Sequence, residues 1–313
     1  MPSTLKAELR AYADSIGFDS LGICAPAAPV HEVAAHMKWL ARGYHAEMGY
    51  LSRNPESRYD ARSLLPDCRS VVVVALSYYV PDPQWPADSE PKVSRYAWGD
   101  DYHDVLKDKL RLLADWLDAS IPEQRHKLCV DTSPLTEKAF AVAAGIGWQG
   151  RNSLVLSDRL GSYFFIGLLL STAELEFDQP AVPSCGTCTL CIQACPTNAL
   201  VGPGILDANR CVSYLTTERK EDVAEHESLS GWLYGCDTCQ QVCPFNITPA
   251  VTREPRFVPR NSSQHISLDA ALALSEPQFE ERFAGTVFRR RKLFRLQAQA
   301  RNLQAAELSN SER

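Results

Sequence analysis

Cys185-Gly186-Thr187-Cys188-Thr189-Leu190-Cys191-Ile192-Gln193-Ala194-Cys195-Pro196 decides how the rest of the chain is read. Three cysteines recur at every third position, and a fourth, followed by proline, comes four residues later. That run is the bacterial ferredoxin pattern, in which the fourth thiolate ligates the other of two clusters. A second half, Cys236-x2-Cys239-x3-Cys243-Pro244, closes the stretch, with Cys211 standing upstream of it. The spacing assigns Cys185, Cys188, Cys191 and Cys243 to one [4Fe-4S] cluster, and Cys195, Cys211, Cys236 and Cys239 to a second. Structural zinc would require two isolated knuckles built from CxxC pairs, and disulfides would suit a small exported chain. Neither explains the three-residue repeat or the paired Cys-Pro steps. A thiolate-held cluster carries one electron at a time, so this stretch is wiring, and the chemistry it feeds lies elsewhere in the chain.

At 313 residues the chain has room for two domains, or one large domain with an insert. Hydrophobic content of 45% with 22% charged residues is that of a globular protein, and no apolar run reaches membrane-spanning length. The opening Met1-Pro2-Ser3-Thr4 has no apolar signal core, and the cysteine pattern suits a reducing compartment, so a cytoplasmic, non-membrane protein is expected. A net charge of −6 argues against a general nucleic-acid coat but leaves room for a local basic patch.

Outward from the cysteines, the chain alternates strands and helices. Leu5, Leu9, Tyr12 and Ile16 share one face of a helix over 4–16, and Phe18 to Cys24 reads as a strand. Val33 to Leu40 is helical, and Gly43 to Leu51 is a polar and aromatic turn region. Val71-Val72-Val73-Val74-Ala75-Leu76 is apolar on both faces, so it is a central strand covered on two sides, broken by Pro81, Pro83 and Pro86. Leu106, Leu110, Leu113 and Leu117 mark a helix beginning near Asp104, with Asp101, Tyr102 and His103 gathered at its start. Such a trio is more often capping and surface than catalysis. Asp101-x-His103 also approaches the cobalamin DxHxxG loop, but Leu106 stands where glycine would be. Cys129-Val130-Asp131 ends a strand, with Ser133 as N-cap and Pro134 at the first helical position. From spacing alone, Asp131 as a helix-capping carboxylate and Asp131 as a pocket residue stand equal. Gly147 to Ser153 is a glycine-bearing loop leading into a strand, and Phe164 to Leu170 is a second long strand. Cys24, Cys68 and Cys129 have no ligand spacing and read as buried, inert thiols. A final basic helix carries Arg289, Arg290, Arg291, Lys292, Arg295 and Arg301 over a seam of Leu293, Leu296, Ala300 and Leu303. Six cations in thirteen residues suit a polyanion.

Together, several of these segments resemble the epoxyqueuosine reductase family. They are Ser94-Arg95-Tyr96, Asp101-Tyr102-His103, Val130 to Pro134, Gly147 to Ser153, Cys211 to Thr216 and Gly235 to Pro244. The resemblance runs to about residue 300. It implies an α/β (α+β) nitroreductase-like cobalamin-binding domain over 1–173 and a ferredoxin-like module with two [4Fe-4S] clusters over 174–250. A short helical, basic C-terminal segment over 251–313 would follow. Longer family members continue into helical repeats, a tail expected to be missing here. The cobalamin is implied only by the resemblance, base-off and without a histidine ligand.

The resemblance further implies reduction of epoxyqueuosine at the tRNA wobble position to queuosine, the last step of queuosine biosynthesis. The substrate is tRNA, presented by its anticodon loop, and the electrons come from an external low-potential donor to a monomeric enzyme. An epoxide oxygen leaves poorly unless protonated. Asp131 is the expected proton donor, with a raised pKa in a partly desolvated pocket, and Asp101, Tyr102 and His103 line that pocket. Arg58, Arg95, Tyr96, Asp131, Gln149, Asn152, Ser153, Ser213 and Thr216 are the expected cobalamin contacts. Two other classes compete. A reductive dehalogenase would share both cofactors but usually carries an export signal, and a ferredoxin-type electron carrier would leave the Asp131 and Asp101 segments without purpose. Anaerobic purification should return iron and sulfide matching two four-iron clusters per chain; zinc in their place would overturn the cluster assignment.

Overall fold

A β-branched run with no polar face must be covered on both sides. The computed structural model describes residues 4–81, 91–182, 185–221, 227–260 and 263–311, and it places that run at the centre of a sheet. The expected breaks at Pro83 and Pro86 lie outside the described residues. In chain order come helix α1 (Thr4–Ser15), strand β1 (Ser20–Cys24), helix α2 (Val30–Ala41) and strand β2 (Ser70–Ser77). They are followed by β3 (Lys92–Val93), α3 (Tyr102–Ser120), β4 (His126–Cys129), α4 (Glu137–Ala143), the hairpin of β5 (Trp148–Gln149) and β6 (Val155–Leu156), and β7 (Phe164–Ser171).

The four long strands form one sheet in the order β1-β2-β7-β4, and all three pairings are antiparallel. The domain is therefore a helix-covered α+β layer structure rather than a parallel α/β one. Every residue of β2 is buried. Because strand side chains alternate, Val72, Val74 and Leu76 pack beneath Leu9 of α1 and the leucines of α3, while Val71, Val73 and Ala75 pack against Phe140 and Ala139 of α4. The sheet and the end of α4 approach closely at Gly22, where a Cβ would stand 2.0 Å from the Ala144 carbonyl oxygen.

The cysteine-rich half supplies α5 (Leu190–Ala194), the hairpin of β8 (Leu200–Gly202) and β9 (Ile205–Leu206), α6 (Val212–Thr217), β10 (Trp232–Tyr234) and α7 (Thr238–Gln241). Then come α8 (Leu268–Ala273), α9 (Glu276–Arg282) and α10 (Leu293–Ser311). β10 runs parallel to β3, with Trp232 opposite Lys92 and Tyr234 opposite Val93. Around this pair Val93, Trp98 and Trp232 share a core with Phe279, Phe283, Phe288 and Leu296. Residues 92–98 thus belong in space with the C-terminal helices. Among the described residues no helix is long and apolar enough to cross a membrane.

Three sequence expectations are corrected. α3 begins at Tyr102, not Asp104, because Asp101 is its N-cap and accepts the His103 amide at 3.0 Å. α4 begins at Glu137 behind Thr136, not behind Ser133, since the amides of Thr132 and Leu135 turn back to the carbonyls of Val130 and Ser133. The basic segment is not one helical face. Arg289 to Lys292 precede α10; Arg291 is buried and donates to the carbonyls of Arg219 and Leu215. Arg289 pairs with Glu280 at 2.6 Å and Arg290 with Asp101 at 3.1 Å. The seam of Leu293, Leu296, Ala300 and Leu303 is buried as expected.

Leu110 is fully buried in the α3 layer. Leu110→Ala should cost about 2–5 kcal/mol of unfolding free energy, measured by denaturant titration.

Candidate cluster sites and active-site cavity

Each run of cysteines is carried by short helical turns that follow one another too closely to diverge. α5 holds Cys191 and α7 holds Cys239, and each is followed by a Cys-Pro step that ends the turn. Cys185, Cys188, Cys191 and Cys243 line one cavity of about 210 Å³. Cys195, Cys211, Cys236 and Cys239 line another, larger one of about 510 Å³. Burial raises the thiols of Cys191, Cys211, Cys236, Cys239 and Cys243, and neighbouring thiols raise them further: Cys191 feels Cys243 and Cys188, and Cys236 feels Cys211. Cys239 feels Cys236 and Cys211 and, more weakly, Cys191 of the other set. All eleven cysteines are free thiols. Cys24, Cys68 and Cys129 are buried away from both cavities, and burial pushes the Cys24 thiol up to about 12.

The larger cavity is also where Asp131 stands. Its side chain is 62% exposed, projecting from the irregular segment between β4 and α4. The Tyr102 hydroxyl donates to its Oδ2 at 2.8 Å, and His103 Nε2 lies 3.3 Å from the same oxygen. His103 is 3% exposed, and its Nδ1 lies 2.6 Å from Asp101 Oδ1. Arg290 Nε closes the row on Asp101 Oδ2 at 3.1 Å. Burial lowers the His103 pKa, but its hydrogen bonds to Asp101 and Asp131 outweigh this and leave it raised. Burial would raise Asp101, and the donors from His103 bring it down to about 2. Both ring nitrogens of His103 are engaged by carboxylates, so it is not disposed as a metal ligand.

The raised pKa expected for Asp131 is not found. Enclosure in the cavity wall raises it, but the hydrogen bonds from His103 and Tyr102 more than reverse this, and the carboxyl sits below its ordinary value. The carboxyl that is raised is Glu137, pushed to about 8 by burial and by the charge of Asp131. Of the trio expected to line the pocket, only Tyr102 does so; His103 and Asp101 stand behind Asp131.

Of the expected cofactor contacts, Tyr96, Asn152, Ser153 and Ser213 line the cavity with Asp131, and Arg58, Arg95, Gln149 and Thr216 do not. Arg58 is buried, with Nη1 3.5 Å from the Tyr50 carbonyl. Arg95 packs over Tyr79, Trp98 and Tyr163. Gln149 is exposed and reaches the Gly204 carbonyl. Thr216 is buried and accepts the Gly235 amide at 3.0 Å; its neighbour Thr217 lines the cavity instead. The stretch Gly147 to Ser153 is not wholly a loop: Trp148–Gln149 is strand β5, and the turn of the hairpin is 150–154. Asn152 Oδ1 accepts the Leu154 amide, whereas its Nδ2 is buried without a partner.

Several residues escaped sequence reading. Glu137 accepts the Asp131 amide at 2.5 Å, and Lys138 Nζ donates to the Ser153 carbonyl at 3.1 Å. Asp237 has no exposure and accepts from Ser94 Oγ at 2.6 Å, the Arg95 amide at 2.8 Å and Gln240 Nε2 at 2.8 Å. Asn246 likewise joins Ser162 to the Gln240 carbonyl. Such partners lie far apart in sequence and leave no periodic signal; the only clue was Asp237 lying between two ligand cysteines.

Residues 58–132 match the family model described as Epoxyqueuosine reductase QueG, DUF1730, and residues 184–246 match that described as 4Fe-4S double cluster binding domain. An epoxyqueuosine reductase of Gloeobacter violaceus is 41% identical over 306 residues, 95% of this chain and 94% of its own. A solved epoxyqueuosine reductase bound to an epoxyqueuosine-modified tyrosine tRNA stem loop has a TM-score of 0.88 at 35% identity, covering 96% of this chain and 80% of that one. Another, from Bacillus subtilis with its catalytic loop swung out of the active site, has a TM-score of 0.88 at 33% identity, covering 98% of this chain and 84% of that one.

Because the Asp101 hydrogen bond helps raise His103, Asp101→Asn should lower the His103 pKa, read by NMR titration of the imidazole. The sign follows from linkage. The bond stabilises the fold below the ordinary histidine pKa, and that stability is lost as pH rises through the raised one.

Proposed function

The chain belongs to the epoxyqueuosine reductase family, and from that premise we infer how its residues carry out the reaction. The protein is an oxidoreductase that converts epoxyqueuosine in tRNA to queuosine. The reaction takes two electrons and two protons, removes the epoxide oxygen as water and leaves an alkene. The observation that carries this reading is that one cavity holds both Asp131 and the four thiols of the second cysteine set.

Two cofactors are implied, and the residues fit them. The two thiol sets each line their own cavity, which supports a [4Fe-4S] cluster on each. Cobalamin fits the larger cavity by its chemistry: the orphaned Asn152 Nδ2 is a donor of the kind a corrin carboxamide satisfies, and His103 is already taken on both nitrogens. When bound, the clusters deliver electrons singly and the cobalt supplies the reducing centre, chemistry that no side chain offers. Tyr96, Asn152, Ser153 and Ser213, which line the cavity with Thr217 and Lys138, would hold the corrin. Thr216 and the Arg95 amide brace the segment of Cys236 from behind, through Gly235 and Asp237.

The chain's own part is to deliver the proton. The leaving oxygen takes it at Asp131 Oδ2, the atom that both Tyr102 and His103 address. At neutral pH Asp131 is a carboxylate, so the proton comes through it from His103, whose charged form Asp101 favours. We take the segment 131–135 to be the counterpart of the Bacillus subtilis relative's movable loop.

The tRNA enters with its wobble base splayed from the anticodon loop, since chemistry on a base needs it unstacked. Exposed cations such as Lys292 and Arg301 hold loop phosphates. The electrons would come from an external low-potential donor by way of the clusters that the two cysteine sets would hold. Both ligand sets and Asp131 come from one chain, so the site is complete in a monomer.

Asp131→Asn should abolish conversion of epoxyqueuosine-bearing tRNA, read by mass spectrometry of digested RNA, while iron and cobalamin stay bound. Undiminished conversion would remove Asp131 from the mechanism. In the wild type, turnover should fall as pH rises through the raised His103 pKa, because the proton source is then lost; a rate that keeps climbing there would exclude His103 as that source.

A further inference from the structure

Asp131 is held from two directions. Its carboxylate is met by Tyr102 and His103, and its backbone amide donates to Glu137 Oε1 at 2.5 Å. The residue has φ of 53°, in the left-handed region, which is uncommon outside glycine although aspartate enters it more readily than most side chains. The loop's own bonds do not fix it. Thr132 and Leu135 donate to Val130 and Ser133, so those bonds begin and end within the segment. Glu137 is anchored differently. It is the first residue of α4, whose Phe140 and Ala141 are fully buried beneath the sheet, and the preceding amide, of Thr136, donates to the Arg58 carbonyl at 2.9 Å. Glu137 also lines the cavity into which Asp131 projects.

We propose that Glu137 is a positioning residue: its carboxyl latches the Asp131 amide and holds the loop so that the Asp131 carboxyl faces the reaction cavity. Charged or protonated, the group keeps an acceptor oxygen for that amide, so the latch works across neutral pH. The proposal deepens the reading of Asp131 as proton donor and rests on it.

The test uses the cofactor-loaded full chain with Glu137→Gln, Glu137→Ala and Asp131→Asn. It reads turnover of epoxyqueuosine-bearing tRNA and, separately, deuterium uptake of a peptide spanning 128–136, with α3 peptides as a folding control. Glu137→Ala should raise uptake in that peptide and lower kcat about tenfold to a hundredfold, with KM for tRNA and the iron and cobalamin contents unchanged. Glu137→Gln keeps an acceptor and should match wild type in both readouts. If Ala loosens α4, Glu137→Met, which keeps bulk without an acceptor, takes its place with the same expected result. Unchanged uptake in the Ala or Met variant overturns the latch. So does a Gln variant as slow as Ala with normal uptake, which would make Glu137 a proton donor instead. Full activity in Asp131→Asn would sink the Asp131 reading, and the uptake result would still decide the latch.

Discussion

A buried carboxyl with no path to water fastens the two halves of this molecule. Asp237 lies between two cysteines of the second set, and its oxygens are filled by Ser94, the Arg95 amide and Gln240. Gln240 in turn accepts from Ser162 Oγ at 2.8 Å, beside Asn246. A network of this kind is costly if any member is left unpaired, so once satisfied it admits one docking of the module on the sheet and not its neighbours. The adjacent Gly235 tightens the constraint: its φ is 66°, and a Cβ there would stand 2.5 Å from Ser94 Cβ. Cys236 and Cys239 are thereby fixed across a single cavity from Tyr102 and Asp131. The separation between the second cysteine set and Asp131 is set by this seam more than by the residues of either.

The proton side reaches its goal by a different physical route from the one a lone acidic residue suggests. A carboxyl can be kept protonated by burial, at the expense of the surrounding charge balance. Here Asp131 is instead given two donors and a charged backing row, His103, Asp101 and Arg290, that stretches from the cavity to the C-terminal segment. The row as a whole sets the protonation of its outermost member, the carboxyl that faces the cavity. Arg290, which the sequence offers as one of a run of surface cations, stays exposed but pairs with Asp101 and helps hold it as an anion.

What the sequence made legible follows from which constraints are local. Cluster ligation demands fixed spacing, so the two cysteine sets could be read residue by residue, and they fall into two cavities. The valine run could be read because burial on both faces leaves no polar position. The sense of the sheet could not, since an apolar strand looks alike in parallel and antiparallel company. The partners of Asp131 illustrate the limit. Tyr102 and His103 precede it by nearly thirty residues, and their meeting depends on α3 and β4 packing on one sheet. Thr216 and Thr217 show how fine the uncertainty becomes: adjacent threonines on one short helix, one turned inward to accept the Gly235 amide, the other facing the cavity. In the basic run, charge alone could not separate Arg291, which is buried on backbone carbonyls, from Arg301, which is in water.

The parallel pairing of β3 with β10 carries a consequence for how the protein is made. Residues 92–98 leave the ribosome long before Trp232, Phe283 and Leu296, yet share a core with them. That part of the N-terminal half must wait, its tryptophan uncovered, until nearly the whole chain has been synthesised. Contacts of such long sequence separation form slowly and expose apolar surface meanwhile. The second cysteine set is complete at Cys239, before Phe283 and Leu296 exist to cover β10, so the core beside that set closes only when the chain is nearly finished.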